Sequence, residues 1–576
     1  MFTNVEIATV FEEMADLLEL SGENAFRIRA YRNGAKAIRD LSEPVAEMIH
    51  AGTDLTAIDG IGSTLAEKSA VLVKTGNLPQ LDKLRKEVPP TLRDIMMVPG
   101  VGAKKAMKMF QELQVVDLAT LRAACEAGLV ASLKGFGEKT QQSILQNMQI
   151  AEKAALRLTI DVADDLVERL KAHMTKCTAV QRLDFAGSYR RGKETIGDLD
   201  ILVISDDNNS VMDHFANFPA IQETIARGDT KMSIRVTDSF QVDLRVVAEK
   251  SWGAALQYFT GSKEHNVHIR GLAKSKGMKI NEYGVFDADD ESKVLAGADE
   301  ESIYKLVGMP WVPPEMREDR GEFEPAIQKR FAQLIELSNI RGDLHMHTVA
   351  TDGENTILEM AAAARSRGLE YIAITDHSKR VSMARGLDET RLLQQWEEID
   401  AINAKSDGHF WIFKGVECDI LEDGRMDIAD ECLAKADWVT ASIHYGQRQS
   451  RELITQRILG ALENPHVDAF SHPTGRLISR REPYEVDLTA VIDAAKTRRK
   501  FLELNANPSR LDLNDINTAA AIAAGVTIVI NTDAHSIPNL DLMKFGITQA
   551  RRAGVVPSHV LNTLSLVDIK KRLEIK

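Results

Sequence analysis

The feature that most constrains the fold is a repeated alternation of short apolar strands with helical stretches after Ile340. Strand-like runs occupy residues 371–375, 438–442, 501–504 and 526–530, and helical patterns such as 357–367 and 488–498 lie between them. Strands that alternate with helices are typical of parallel sheets. The rhythm therefore predicts a parallel α/β barrel over residues 341–576, and such barrels carry catalytic residues at the carboxyl ends of their strands.

Histidines and carboxylates recur in short motifs of this region. Two histidines at positions i and i+2, such as His345 and His347, share a strand face and can bind one ion. A carboxylate such as Glu417 has two oxygens and can bridge two ions. Metal-activated water attacking a phosphoester is the reaction that such a site favours. Three histidines outside the motifs are interpreted as core or surface residues: His409, His466 and His559.

A second group of acids lies in the middle of the chain, where residues from Leu183 to Val247 alternate as strands do. Asp198 and Asp200 share one strand face, because successive side chains point to opposite faces. Asp243 lies on the polar face of a later strand, and a Gly-Ser turn at 187–188 precedes the first pair. Such carboxylates can hold divalent metals against a triphosphate.

Length and charge restrict the remaining possibilities. A chain of 576 residues is too long for one core, so several domains are expected. The net charge of −14 argues against nucleic-acid binding by bulk charge but leaves open local patches, backbone amides and metal ions. The sequence has neither a bilayer-spanning apolar run nor a secretory signal, and its four cysteines are scattered. We expect a cytoplasmic monomer without a membrane partner.

The first third of the sequence has helical periodicity, as in residues 5–20 and 27–41. Three related turns follow, each with the pattern Gly-x-Gly between apolar residues and a helical stretch: Ile58-Asp59-Gly60-Ile61-Gly62, Val98-Pro99-Gly100-Val101-Gly102 and Leu133-Lys134-Gly135-Phe136-Gly137. Later segments predict a helix over 252–272 and an extended run over 278–286. A run rich in proline and charge then predicts an interdomain linker.

Residues 1 to about 315 resemble a family X DNA polymerase. The resemblance rests on Gly187-Ser188, Arg191, Gly197-Asp198-Leu199-Asp200 and Asp243, and it extends to the blocks at 258–262 and 279–284. It implies that Asp198, Asp200 and Asp243 hold two Mg²⁺ or Mn²⁺ ions for transfer of a nucleotide to a primer 3′-hydroxyl.

The resemblance also implies the contacts of the incoming nucleotide. Ser188 and Arg191 would hold the triphosphate, Tyr258 and Phe259 would lie against the sugar, and Asn266 would contact the base. Lys263 departs from the family, which often carries Asp there. The complete nucleotide-binding set is Gly187, Ser188, Arg191, Gly197, Tyr258, Phe259, Gly261 and Asn266, with Arg157 as a further candidate.

The three glycine turns resemble helix-hairpin-helix elements, whose backbone amides bind DNA phosphates without reading sequence. The implied DNA-binding residues are Gly60, Gly62, Gly100, Gly102, Gly135, Gly137, Arg270, Asn281, Glu282 and Tyr283. Lys68 follows the first turn and is a candidate Schiff-base nucleophile for a 5′-deoxyribose-phosphate lyase. The alternative, a solvated helix lysine, stays open, because family lyase pockets carry further lysines where this chain has Arg27 and Thr64.

Residues 341–576 resemble a polymerase-and-histidinol-phosphatase (PHP) domain. The resemblance implies nine metal ligands: His345, His347, Asp352, His377, Glu417, His444, His472, Asp533 and His535. It further implies up to three ions, held by His345, His347, Glu417 and Asp533, by Glu417, His444 and His472, and by Asp352, His377 and His535. Such ligands suit Mn²⁺, Zn²⁺ or Fe²⁺. Asn505 and Arg510 are expected to line the same site.

The predicted fold is multidomain, with helical amino-terminal domains, an α+β nucleotidyltransferase palm with a thumb, and a distorted TIM-like PHP barrel. The predicted boundaries are 1–80 for the lyase-like domain, 81–150 for the fingers, 151–250 for the palm, 251–315 for the thumb, 316–340 for the linker and 341–576 for the barrel.

The predicted function is repair of short gaps in primed DNA with dNTPs. The resemblance adds a 3′-5′ exonuclease and an abasic-site endonuclease. The alternative is a PHP phosphoesterase for small phosphorylated substrates with a DNA-binding tether, and a non-catalytic DNA scaffold is a third hypothesis. The hairpin turns and the three palm acids argue against the phosphoesterase hypothesis. The retained metal ligands argue against the scaffold hypothesis.

Overall fold

The computed structural model describes residues 2, 4–40, 45–58, 60–96, 98, 100–154, 157–236 and 240–574. Asp59 and Pro99 of the predicted turns lie outside the described residues, as do Leu41 and both chain ends. Contacts divide the chain into two compact units, Met1–Ala155 with Ser479–Glu482 and Leu156–Ile478 with Pro483–Lys576. In the described part of the chain, no helix is both long enough and apolar enough to cross a bilayer.

The amino-terminal unit is helical, as its periodicity predicts. Ile7, Phe11, Met14 and Leu18 share one face of the first helix and lie in the core of this unit, because their spacing follows the helical repeat. Its helices are α1 (Asn4–Leu20), α2 (Ala25–Asp40), α3 (Val45–Ala51), α4 (Ser63–Thr75), α5 (Pro79–Glu87), α6 (Leu92–Met96), α7 (Ala103–Leu113), α8 (Leu118–Glu126), α9 (Leu129–Ser132) and α10 (Glu138–Ala154).

The three glycine turns share one backbone conformation. Gly60, Gly100 and Gly135 have φ angles of 86°, 87° and 90°, a left-handed region that glycine enters without steric cost. In each turn, the amide of the residue after this glycine donates a hydrogen bond to the carbonyl three residues earlier. A helix begins within three residues of each of these glycines, at α4, α7 and α10.

The second unit starts with an α+β domain. Its five-stranded sheet has the order β2-β4-β7-β6-β5, in which only β4 and β7 run parallel to each other. The helices α11 and α13 contribute to the same core as the sheet. The elements are β1 (Leu158–Thr159), α11 (Ile160–Met174), β2 (Arg182–Phe185), α12 (Gly187–Arg190), β3 (Thr195–Ile196), β4 (Asp198–Ile204), α13 (Asn208–Ala216), β5 (Glu223–Arg227), β6 (Lys231–Val236) and β7 (Phe240–Val246).

The following segment differs in two places from the sequence prediction. The helix predicted over 252–272 is two helices, since Gly261 ends the first with φ 70° and Ser262 caps the second. The run predicted over 278–286 is a hairpin. The elements are α14 (Trp252–Thr260), α15 (Lys263–Ser275), β8 (Met278–Asn281), β9 (Gly284–Asp287), β10 (Val294–Ala296), α16 (Glu300–Val307) and α17 (Pro325–Gln328).

The segment 316–340, which its composition marks as a linker, is packed against this region. Arg317 has no exposed surface and donates to Glu300 at 2.6 Å. Glu322 is equally buried and lies 2.8 Å from a ring nitrogen of His265. These two charged side chains of the segment are therefore buried against polar partners.

The carboxyl-terminal part of the second unit is a parallel α/β barrel. Seven parallel strands follow sequence order from β11 to β17 within the fully described range 240–574. A parallel bridge between Met346 and Ala534 joins the two edges and nearly closes the barrel. The elements are β11 (Gly342–Asp343), α18 (Ile357–Ser366), β12 (Tyr371–Ile374), α19 (Glu389–Asn403), β13 (Trp411–Asp419), α20 (Asp430–Leu433), β14 (Trp438–Ser442), α21 (Arg451–Glu463), β15 (Ala469–Phe470), α22 (Leu488–Arg498), β16 (Phe501–Asn505), α23 (Asp515–Ala524), β17 (Ile528–Asn531), α24 (Met543–Arg552) and α25 (Leu566–Arg572).

Candidate active sites

Three carboxylates meet on neighbouring parallel strands of the α+β domain. The register of β4 and β7 places Asp200 opposite Asp243, and Asp198 lies two residues earlier on the same face. Leu199 and Ile201, which alternate with these acids along β4, are fully buried on the other face. The structure thus brings together the three acids that the sequence singles out.

The electrostatics of this cluster are those of crowded acids. Burial and the charges of Asp198 and Asp243 raise the pKa of Asp200 to about 7. Burial alone would raise the pKa of Asp243, but hydrogen bonds from Gln241, Ser233 and Lys231 outweigh it and lower the pKa overall. The ammonium of Lys231 lies 3.0 Å from Asp243. Acids that destabilise one another at neutral pH form a donor set that suits divalent cations.

The Gly-Ser turn lies directly beside these acids. A Cβ atom on Gly187, whose φ is 64°, would come within 2.9 Å of Asp200 Oδ2, so glycine permits the close approach. Ser188 Oγ is buried and has no hydrogen-bond partner among the described residues. Arg191 donates from Nε to Glu318 at 3.0 Å and from Nη1 to the carbonyl of Thr260.

Arg157 and Gly197 lie next to each other at the start of β4. Arg157 donates to the carbonyl and the hydroxyl of Thr195 at 2.5 Å and 2.9 Å. A Cβ atom on Gly197 would lie only 2.7 Å from Arg157 Nη1. The structure therefore places this arginine against Gly197, the residue that precedes Asp198.

The predicted sugar and base contacts lie on α14 and α15. Tyr258 and Phe259 pack edge to face with ring centres 5.1 Å apart, and Gly261 follows them. Asn266 is buried, donates to the Tyr258 carbonyl at 2.7 Å and accepts from Gln257 at 2.8 Å. Its amide therefore fixes the end of α14 in this structure.

The predicted DNA contacts lie on three kinds of surface. Gly62 and Gly102 cap α4 and α7 with φ angles of −77° and −98°, and a Cβ atom on either would stand in open space. Arg270 is exposed on α15, and Asn281, Glu282 and Tyr283 form the turn between β8 and β9. The side chain of Tyr283 is 64% exposed, which leaves its ring accessible to a ligand.

Lys68 contacts an aromatic residue rather than a cluster of cations. Its ammonium donates to the hydroxyl of Tyr31 and lies 5.0 Å from the centre of that ring. Arg27 is ion-paired with Glu23 at 2.6 Å, and Arg32 is ion-paired with Glu19. Both arginines therefore have acidic partners of their own.

The nine predicted ligands gather at the carboxyl ends of the barrel strands. His345 and His347 follow β11, His377 follows β12, and Glu417 lies near the end of β13. The remaining ligands follow the later strands or lie in the first loop: Asp352, His444, His472, Asp533 and His535. Parallel strands bring these distant positions to one rim, as the alternation of strands and helices predicts.

Glu417 occupies the middle of this rim. Its Oε1 lies 2.9 Å from His472 Nε2 and 3.5 Å from His444 Nε2. Its Oε2 lies 3.5 Å from His345 Nε2 and 3.6 Å from His347 Nε2. The two oxygens of one carboxylate thus face two different sets of histidines, which is an arrangement that can bridge ions.

The candidate ion-binding groups overlap more than the predicted partition does. One group contains His345, His347 and Asp533, a second contains His377, Glu417 and His444, and a third contains His347, Asp352, His377 and His535. His347 and His377 each belong to two groups, because their rings lie between neighbouring acids.

The donor set fits metal ions. Within the described residues, His345 Nε2 and His347 Nδ1 are buried and have no hydrogen-bond partner. Buried polar atoms without partners are costly, and coordination to a cation removes that cost. Imidazole nitrogens with carboxylate oxygens are ligands for transition metals.

Several carboxylates that orient the ligands were not singled out in the sequence. Glu503 accepts from His345 Nδ1 at 2.7 Å and from the amide of His472 at 2.8 Å. Asp419 lies 3.2 Å from His444 Nδ1 and 2.9 Å from Arg380 Nε. Sequence spacing could have identified both acids, because Glu503 and Asp419 each lie two residues from a predicted site residue on the same strand.

A cavity of about 300 Å³ opens above the ligands. Met383 on its wall is 84% exposed, and Arg510 reaches within 3.7 Å of Asp533. Asn505 has no exposed surface and donates to Asp533 at 3.1 Å, so it orients a ligand where the sequence predicts a wall residue.

Models of five protein families match the chain in order. They are a helix-hairpin-helix domain at residues 2–78, a SAM-like helix-hairpin-helix tandem at 92–147, the DNA polymerase beta palm at 160–266, the DNA polymerase beta thumb at 255–318 and a PHP domain at 343–507.

A relative of full length decides the family. The DNA polymerase/3′-5′ exonuclease PolX of Bacillus subtilis is 40% identical over 571 residues, which are 99% of this chain and 99% of that protein. This chain belongs to the bacterial family X DNA polymerases with a PHP domain. Family X polymerases and PHP domains depend on metals, which agrees with both acid-rich sites.

Two further relatives of this family X chain match it in part. DNA polymerase lambda of Rattus norvegicus is 26% identical over 344 residues, 55% of this chain and 56% of that protein. A probable phosphatase of a Thermoanaerobacter species is 30% identical over 235 residues, 38% of this chain and 89% of that protein.

Proposed function

We propose that this chain fills short gaps in DNA from dNTPs, as a monomer, and removes nucleotides from 3′ ends at its barrel site. The observation that carries the proposal is the register of β4 and β7, which sets Asp200 opposite Asp243 beside Asp198. We propose the domain limits 1–80, 81–150, 151–250, 251–315, 316–340 and 341–576.

In the polymerase site, Asp198, Asp200 and Asp243 would hold two Mg²⁺ or Mn²⁺ ions. When bound, such ions activate the primer 3′-hydroxyl and neutralise charge during in-line transfer. Before the ions bind, the ammonium of Lys231 holds Asp243 in place at 3.0 Å. Extension of a primer into a gap requires this site, whereas hydrolysis of a small phosphomonoester does not require it.

The neighbouring residues would orient the nucleotide. Ser188 offers an unpartnered hydroxyl within the described structure, and Arg191 offers charged donors, both of which suit a triphosphate. Gly187, Gly197 and Gly261 allow the side chains of Asp200, Arg157 and Arg191, respectively, to approach the backbone closely. Tyr258 and Phe259 would lie against the sugar. For Asn266 to contact the base, its side-chain amide must give up its hydrogen bond to the Tyr258 carbonyl.

The glycine turns would bind the DNA backbone. The second glycine of the first two turns has an ordinary φ and open space around it, so the fold alone does not require glycine there. A side chain at those positions would instead separate the backbone amides from a phosphate. Gly137 has the same open surroundings in the third turn. Arg270 and the turn at Asn281, Glu282 and Tyr283 would contact the duplex near the polymerase site.

In the barrel, the nine ligands would hold up to three ions of Mn²⁺, Zn²⁺ or Fe²⁺. When bound, such ions supply an activated water for hydrolysis of a phosphodiester. Glu503 and Asp419 orient the histidines, and Arg510 at the cavity wall can bind a phosphate. The phosphatase among the relatives supports phosphoester chemistry at this site. Cleavage at abasic sites would use the same ligands.

Lys68 would act as a lyase nucleophile on a 5′-deoxyribose-phosphate in the course of base excision repair. Attack requires the neutral amine. The Tyr31 hydroxyl oxygen accepts a hydrogen bond from the Lys68 ammonium, so the proton that Lys68 must lose before attack would pass to water. A phosphate held at the first glycine turn would present the sugar to the helix that carries Lys68.

One set of assays tests these proposals. On a labelled one-nucleotide gap with Mg²⁺ or Mn²⁺, Asp243→Asn should lower extension by orders of magnitude and keep 3′ removal. His345→Ala with His347→Ala should give the opposite pattern. The exposed Asp229→Asn and His409→Ala are matched controls and should change neither. Equal extension by Asp243→Asn and the parent would refute the polymerase site.

The same variants separate the finer activities. Incision of an abasic duplex should disappear with the His345→Ala/His347→Ala variant. Borohydride should trap a covalent adduct on a 5′-incised abasic end that is lost in Lys68→Ala. An adduct that persists in Lys68→Ala would move the lyase chemistry to another amine.

A further inference from the structure

Helix α24, which follows the last barrel strand β17, contacts the turn that carries Arg191. Arg552 Nη1 donates to the carbonyl of Arg191 at 2.6 Å, and Gln549 Nε2 donates to the carbonyl of Gly192 at 2.8 Å. Both donors belong to the barrel half of the chain, whereas both acceptors belong to the polymerase turn. Consecutive carbonyls of that turn are therefore fixed by a different domain.

The contact is closely packed and buried. Arg552 is 5% exposed and Gln549 is 1% exposed. Gly192 has a φ of 62°, and a Cβ atom there would lie 2.1 Å from Thr548 Cγ2. Since any larger residue would collide with α24, the turn and the helix fit each other without an intervening layer.

A second connection passes through Glu318. Its Oε1 accepts from Arg191 Nε at 3.0 Å and from Arg552 Nη1 at 3.1 Å. Burial opposes ionisation of Glu318, but the charges of Arg552, Arg191 and Lys193 lower its pKa, so it stays anionic. Asp515 in turn accepts from Arg552 Nε at 2.9 Å and holds that guanidinium.

We propose that Arg552 is a positioning residue for the triphosphate subsite of the polymerase. Arg552 acts on Arg191 in two ways, through the backbone carbonyl and through the shared carboxylate of Glu318. The barrel half thus sets the direction of the polymerase arginine before a dNTP arrives. This inference rests on the proposed role of Arg191 in binding the triphosphate.

The test uses the full chain and steady-state gap filling. Arg552→Gln should raise the KM for dNTP about tenfold, because it removes charge-assisted hydrogen bonds that orient Arg191, while kcat changes much less. The Ki for pyrophosphate should rise in parallel, since pyrophosphate occupies the same subsite. The Kd for gapped DNA should stay unchanged. A merely structural loss would lower the active fraction and therefore kcat.

Arg551→Gln is the matched control. Arg551 lies next to Arg552 on α24 but pairs with Glu315 at 2.6 Å, so its loss should leave the KM for dNTP within about twofold of the parent. Removal of 3′ nucleotides by the barrel site reports the fold of every variant. Arg552→Lys, which keeps the charge but cannot span the same acceptors, should give an intermediate KM.

The outcomes separate this inference from the proposed function. Failure of the parent to fill gaps would refute the proposed function itself. If Arg191→Ala does not raise the KM for dNTP, the role of Arg191 is refuted. If Arg191→Ala raises it and Arg552→Gln does not, the positioning role alone is refuted. If Arg552→Gln misfolds and loses exonuclease activity, Arg552→Lys takes its place. A KM for dNTP in Arg552→Lys equal to that of the parent then refutes the positioning role.

Discussion

At the scale of single residues, the three palm carboxylates are groups whose mutual repulsion opposes folding. Asp200 carries most of that cost, because burial and two neighbouring acids raise its pKa to about 7. The folded state therefore binds its proton more tightly than the unfolded chain, whose Asp has a pKa of about 3.9. Stability is then lost as pH rises from about 4 to about 7, and cations are expected to restore it.

Asp200→Asn should stabilise the metal-free protein above neutrality. The gain should grow by about 2 kcal/mol between about pH 5.5 and about pH 8, because the wild-type carboxylate ionises in that window. Urea unfolding in EDTA measures it, and Asp229→Asn, an exposed acid, is the control. Mg²⁺ should reverse the order of the two proteins. A gain of equal size at both pH values would contradict the account.

The acids of the palm could be predicted because their signal is local. Asp198 and Asp200 are two residues apart on one strand, and alternation alone places them on one face. Lys231 could not be predicted as the partner of Asp243, because the pairing of β6 with β7 is a tertiary fact. Glu503 and Asp419 were within reach of the same alternation rule at the barrel rim.

At the scale of elements, periodicity predicts the existence of helices and strands better than their ends. The apolar spacing continues through Gly261, yet the left-handed φ of that residue ends α14. The segment 316–340 has the composition of a solvated linker. Its buried partners Glu300 and His265 lie 17 and 57 residues away from Arg317 and Glu322, so composition carries no record of them.

Glu300 is the acid on which this packed segment depends. It accepts from Arg317 at 2.6 Å and from Arg190 at 2.8 Å, and its side chain is 5% exposed. Glu300→Gln should lower the free energy of unfolding by about 3–5 kcal/mol, because it leaves the buried guanidinium of Arg317 without a counter-charge. Urea titration followed by circular dichroism measures the loss.

The exposed neighbour Glu301 provides the control for that substitution. Glu301→Gln removes the same charge from the same helix and should change stability by at most about 0.5 kcal/mol. Similar losses in both variants would mean that net charge, and not the buried pairs, sets the stability of α16.

At the scale of the whole molecule, the polymerase and barrel halves of the second unit are joined by charged and buried contacts. Arg476 pairs with Glu194 at 2.6 Å, and Lys544 pairs with Asp164 at 2.6 Å. Arg552 and Gln549 add the buried contacts to the Arg191 turn. The family relationship predicts two activities, but the sequence did not indicate that their domains share one compact unit.

This coupling predicts that metal binding at the barrel protects the palm. In the variant Asp198→Asn/Asp200→Asn/Asp243→Asn, Mn²⁺ has only the barrel ligands, and at about 100 times its Kd it should add about 2.7 kcal/mol of stability. Hydrogen–deuterium exchange in a urea series should then show peptides from β4 and β7 shifting with those from β13 and β14, since they unfold as one unit. Peptides from α1 and α7 belong to the other compact unit and serve as the reference. Adding His345→Ala/His347→Ala should abolish both shifts, whereas protection of the barrel strands alone would show that the two halves unfold independently.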